Sequence, residues 1–160
     1  MDQKHPITKN GFDALEEELK HLKTHERPKV IKAIAEAREH GDLSENAEYH
    51  SAKDRQGMIE ARISYLENKI NMSEVIHINK GEAASKVIFG ATVTLQDEDH
   101  GDRIKKYQLV GSDEANIEKN LLSITSPLGR ALIGKEVGES VEVTTPVGPM
   151  YYTIKNIELI

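Results

Sequence analysis

The sequence predicts an α+β protein: an N-terminal antiparallel α-helical coiled-coil hairpin, then a small antiparallel β-sheet domain with one short helix. Three observations carry this. Apolar residues in the first half recur at spacings of three and four. One short, glycine-containing connection interrupts that pattern. After residue 78 the composition turns to Val, Ile, Thr and Gly, and three of the five prolines lie there. Two domains follow, residues 1–78 and 79–160.

The first arm is read from Phe12, Leu15, Leu19 and Leu22, which step by three, four and three. The phase slips near Pro28, and Val30, Ile34 and Ala37 resume the pattern. The second arm is more regular. Tyr49, Ala52, Gln56, Ile59, Ile63, Leu66, Ile70 and Ser73 alternate steps of three and four, which places one seam on one helix face. Between the arms lies EHGDLSENAE, with Gly41 as the helix stop. So short a connection makes the helices antiparallel neighbours over residues 10–74. Arms of about 30 residues span about 45 Å. Their outer faces are polar, so the hairpin is expected to project as a rod whose informative place is its tip.

In the second half KVIFGATVTLQ, KKYQLVG and LLSIT read as strands. SPLGRALIGKEVGES reads as a turn, a short helix and a tight turn, and VEVTTP and MYYTIKNIEL as closing strands. Residues 75–86 would join the domains. Tyr151 and Tyr152 point to opposite strand faces, so at least one belongs to the core.

Composition narrows the function. Lys and Arg number 21 against 27 Asp and Glu, a net charge of −6, shared as 12 basic against 15 acidic before residue 79 and 9 against 12 after it. Such acidity argues against a free-standing duplex-DNA binder. The absence of Cys excludes disulfides and thiolate chemistry. No apolar run approaches the roughly 20 residues of a membrane span, and the opening residues lack a signal-peptide core, so a cytoplasmic protein without membrane contact is expected.

The tip holds Glu39, Asp42, Glu45 and Glu48. Two readings stand side by side. Asp42 as N-cap with Glu45 three residues on forms a capping box that starts the second arm. Alternatively the two carboxylates present oxygen to a hard cation such as Mg²⁺, which commonly takes one or two protein carboxylates and completes its shell elsewhere. Behind the tip lie Arg38, Lys53 and Arg55, either paired on a solvated face or forming a phosphate-contacting patch. His21 and His25, four apart, read as a solvated helix face rather than a metal pair.

The segment AIAEAREHGDLSENAEYHSAKDRQG (33–57) resembles the tip of the bacterial Gre transcript-cleavage factors, nearest their GreA branch. The resemblance continues through IEARISYLENKI (59–70), VIFGATVTL (87–95), VGSDEA (110–115) and SPLGRALIGK (126–135). It implies a partner, bacterial RNA polymerase, whose secondary channel receives the hairpin. It implies stimulation of the polymerase's own cleavage of backtracked RNA, by a protein that is not itself an enzyme. The tip acids of the family map onto Asp42 and Glu45, which would assist a Mg²⁺ shared with the polymerase; no intrinsic cofactor is expected. The basic patch that contacts the extruded RNA 3′ end maps onto Arg38 and Lys53, where Lys loses the bidentate fork of Arg. The family's second domain is FKBP-like and docks at the channel rim, through a loop that maps onto Ser126 and Pro127. A monomer is expected. Competing readings are a prolyl isomerase, for which the second half offers few aromatic walls, a channel-blocking antagonist, and a coiled-coil adaptor without chemistry.

Overall fold

The computed structural model describes residues 4–41, 45–82 and 84–160. The chain divides into two units, residues 12–73 and residues 4–11 with 74–160. The expected boundary at 78/79 thus lies a few residues past the observed division, and an N-terminal segment joins the second unit. Strand pairing explains both: β1 (His5–Ile7) pairs with β2 (Ser73–Val75), so the segment expected only to link the domains begins inside a strand.

The first unit takes up α1 (Lys9–His21) from Phe12 onward; the helix runs through a π-helical turn (Leu22–Glu26) into α2 (Arg27–Arg38), and α3 (Ala47–Asn71) returns alongside. The π turn explains the phase slip. From Leu22 to Val30 is eight residues where the seam needs seven, and a π-bulge absorbs one extra residue. Pro28, at the second position of α2, has no N–H to offer the preceding turn. All eight predicted seam residues of the second arm are buried or half-buried. Val30, Ile59 and Ile63 form a core with Leu19 and Leu22 against it. Ion pairs cross between the arms: Arg27 grips Glu60 through two hydrogen bonds of 2.7 and 2.9 Å, Arg62 grips Glu18 at 3.0 and 2.8 Å, and Lys23 meets Glu67 at 2.6 Å. The Arg27 hydrogen bond holds the Glu60 carboxyl below its ordinary range and raises the guanidinium. Such half-exposed pairs contribute little stability each, but they fix the register of the arms.

The second unit is a five-stranded sheet in the order β5-β4-β3-β7-β6, built from β3 (Thr92–Asp97), β4 (Ile104–Val110), β5 (Leu121–Ser123), β6 (Ser140–Thr145) and β7 (Gly148–Glu158). Three pairings are antiparallel, and β4–β5 is parallel where an antiparallel sheet is expected. Residues 111–120, with a 3₁₀ turn at Ile117–Lys119, carry the chain back so that β5 starts beside Gln108. The strand expected from residue 86 begins only at Thr92, because a turn at Phe89–Gly90, with Gly90 at φ 86°, breaks the extended run. The short helix α4 (Pro127–Leu132) buries Leu132 among Val93, Leu95, Leu109 and Ile154. Tyr152 is buried and Tyr151 exposed, as the strand alternation requires.

Asp97 is a buried carboxylate at the end of β3. Burial pushes it up, but the backbone N–H groups of Asp99 (3.0 Å) and His100 (3.2 Å) and the nearby His100 ring more than offset this, so its pKa lies below the usual range. A depressed folded-state pKa stabilises above the unfolded value of about 4 and is lost as pH falls through the folded value. The urea midpoint of wild type should therefore fall towards that of Asp97→Asn as pH drops below about 5. A constant gap between the two across that range would show that the charge contributes nothing.

Candidate functional site at the hairpin tip

α2 ends at Arg38. The N–H groups of Glu39 and His40 turn back to Glu36 and Ala37 (3.2 and 3.1 Å), and Gly41, at φ 114°, leaves the helix as expected. Asp42 lies outside the described residues. The capping-box reading is corrected: the N-cap of α3 is Asn46, not Asp42, and Glu45 precedes the helix instead of occupying its third position. Asn46 Oδ1 accepts the Tyr49 N–H at 3.0 Å, while its Nδ2 donates to the Ala37 carbonyl at 2.7 Å. One side chain thus caps the second arm and ties it to the end of the first. Asn caps well because its short amide competes for backbone donors. Asn46 was missed in the sequence, though Asn directly before a run of helix formers is a start signal.

With Asn46 held at both ends, the backbone that carries Glu45 is fixed at the head of α3. Glu45 is exposed, and no ion pair joins it to another described residue. It lines an open hollow with His40, Asn46, Ala47 and Glu48. Glu39 and Glu48 are exposed as well. A second hollow lies between the arms, lined by Ile31, Ile34, Ala35, Arg38, Lys53 and Gln56. The two predicted basic residues, fifteen apart in sequence, therefore share one groove. The Arg38 guanidinium also lies 5.8 Å from the centre of the Tyr49 ring, a cation–π contact. Arg55 lines a different hollow with Glu48 and Ser51. Asn46→Ala should cost about 2 kcal/mol, one lost cap plus one lost inter-arm hydrogen bond. Faster hydrogen exchange at the Tyr49 amide would register the lost cap, and unchanged exchange would contradict it.

Carboxylate oxygens suit a hard cation, but two of them cannot fill the shell of Mg²⁺. Among the described residues no group of three His, Asp or Glu side chains is placed to hold a metal ion. His21 and His25 stack with ring centres 5.0 Å apart, and His21 leans on Glu26 at 3.3 Å. Ser126 and Pro127 start α4. The Ser126 hydroxyl accepts the Gly129 N–H (3.0 Å) and donates to the Ser123 carbonyl (2.6 Å), so it is committed to the local cap, whereas Pro127 is exposed.

Comparison with known proteins agrees with this picture. Residues 5–75 match the family model described as transcription elongation factor, N-terminal, and residues 82–159 that of transcription elongation factor, GreA/GreB, C-term. Transcription elongation factor GreA of Ruegeria pomeroyi is 60% identical over 98% of this chain and 98% of its own. That of Verminephrobacter eiseniae is 54% identical over 93% and 94%. A crystal structure of GreA factor homolog 1 of Thermus thermophilus, 27% identical, covers 98% of this chain and 99% of its own with a TM-score of 0.44, too low to carry weight. With two family models on the two halves of the chain and relatives of this identity along its length, the chain belongs to the GreA/GreB transcription elongation factor family, on its GreA side.

Proposed function

We propose that this elongation factor binds bacterial RNA polymerase, inserts its coiled coil into the secondary channel and stimulates the polymerase's intrinsic cleavage of backtracked nascent RNA. The observation that carries the proposal is the tip: Glu45, exposed and in no ion pair with a described residue, stands on a backbone that Asn46 pins to both arms. Glu45 and Asp42 would offer oxygen ligands to a Mg²⁺ completed by the polymerase, which supplies the two-metal hydrolysis of a phosphodiester. The factor lends ligands and is not itself the enzyme. Arg38 and Lys53, in their shared groove, would hold phosphates of the extruded RNA 3′ end. Ser126 shapes the start of α4 and Pro127 presents an apolar contact at the channel rim. The acidic chain needs no free affinity for nucleic acid, because the protein partner does the recruiting and the RNA contact is local. It would act in the cytoplasm as a monomer.

The test uses a stalled, backtracked elongation complex with 3′-labelled RNA and Mg²⁺. Wild type should release short 3′ fragments and Asp42→Asn should not. Because Asn46 is the cap of α3, loss of a helix cap would not account for a loss of release in Asp42→Asn. Equal release by both would remove Asp42 from the mechanism. Polymerase binding with no release by wild type would favour the channel-blocking reading.

A further inference from the structure

The first helix carries only half of its own cap. Thr8 precedes α1, and its hydroxyl accepts the Gly11 N–H at 3.0 Å. A capping box needs a Glu or Gln at that third helical position, reaching back to the N–H of the capping residue. Here the position is Gly11 and has no side chain to send. The missing acid comes from elsewhere in the chain. The Thr8 N–H donates to Glu114 Oε2 at 3.0 Å, and the Thr8 hydroxyl donates to Glu114 Oε1. Glu114 Oε2 also accepts the Gly111 N–H at 2.9 Å, and the Glu114 N–H returns to the Gly111 carbonyl at 3.1 Å, closing a turn.

Two glycines make the approach possible. A Cβ on Gly11 would lie 2.1 Å from Glu114 Oε1, and one on Gly111 would lie 2.5 Å from the Pro6 carbonyl oxygen. An ordinary capping acid at position 11 would therefore expel Glu114. Thr8 is buried and Glu114 half-buried, so water is a poor substitute for the carboxylate. A negative charge at a helix N-terminus is also favoured by the helix dipole. All these groups belong to one unit, residues 4–11 with 74–160.

We propose that Glu114 is the capping-box acid of α1, supplied from 106 residues away. The start of the first arm is thereby helical only while the 111–114 turn is folded. The device is independent of the cleavage function proposed above.

Native-state hydrogen exchange on the full chain tests it. In Glu114→Ala the Thr8 and Gly111 amides should exchange roughly tenfold faster, the scale of one lost cap, while amides within α3 keep their rates. Adding Gly11→Glu to Glu114→Ala rewrites the start of α1 as an ordinary T-x-x-E box. In that double variant the Thr8 amide should slow again and the Gly111 amide should stay fast. Unchanged Thr8 exchange in Glu114→Ala, or no recovery in the double variant, overturns the proposal. If Glu114→Ala fails to fold, a folded double variant with a protected Thr8 amide upholds it and an unfolded one overturns it.

Discussion

Glu45→Ala should lower stimulated transcript cleavage by about 10²-fold or more and leave polymerase binding unchanged, and Asp42→Ala is expected to do the same. The magnitude follows from the chemistry asked of the tip. A carboxylate that directly ligates a catalytic ion should matter at least as much as outer-shell partners, whose loss costs about 10–100-fold. The binding half of the prediction follows from the structure. Glu45 makes no ion pair with a described residue, and the helix beside it is capped by Asn46. Truncating Glu45 therefore leaves the hairpin's fold intact. Single-turnover cleavage of backtracked complexes, alongside a direct binding measurement, separates the two. A parallel loss of binding and cleavage would make Glu45 a docking residue and end its catalytic assignment.

Gly129→Ala should destabilise the second unit by about 3 kcal/mol. In an exposed helix the same change would be favourable by up to about 1 kcal/mol, since Ala is the better helix former. Here a Cβ would lie 2.0 Å from the Ser123 carbonyl oxygen and 3.0 Å from Ile124 Cα. The obstacle is backbone, and it is anchored, because the same carbonyl accepts both the Ser126 N–H (3.1 Å) and the Ser126 hydroxyl (2.6 Å). Overpacking of this kind costs about 1–3 kcal/mol or more, which outweighs the gain in propensity. Gly134→Ala is the control. It has open space around its Cβ but a φ of 82°, so only backbone strain of about 1 kcal/mol is expected. Urea denaturation of the two variants ranks them, and a Gly129→Ala midpoint at or above that of Gly134→Ala would refute the steric account.

Much of the fold is legible in the order of residues. The seam from Tyr49 to Ile70 lies on one helix, with Ser73 already in β2, the slip near Pro28 corresponds to a π turn, and Gly41 follows the end of the first arm. The candidate site was legible in part. Arg38 and Lys53 share a groove, and Glu45 stands exposed just before α3. The sequence offers Asp42 as one candidate cap because an acid followed three residues later by Glu fits a capping box. Asn46 prevailed because it satisfies two backbone groups, one of them on the opposite arm.

By itself, then, the sequence determined the features that depend on neighbours within a turn or two: helix periodicity, strand alternation, the glycine stop and the chemical types at the tip. These are short-range effects, written in spacings of two, three and four. The tertiary structure alone decided the parallel pairing of β5, the transfer of residues 4–11 to the second unit, the close approach at Gly129 and the Glu114 clasp on Thr8. Each of these depends on where a backbone donor or acceptor finds its partner far along the chain. A buried polar group must find one, but which partner it finds is settled only when distant segments have packed.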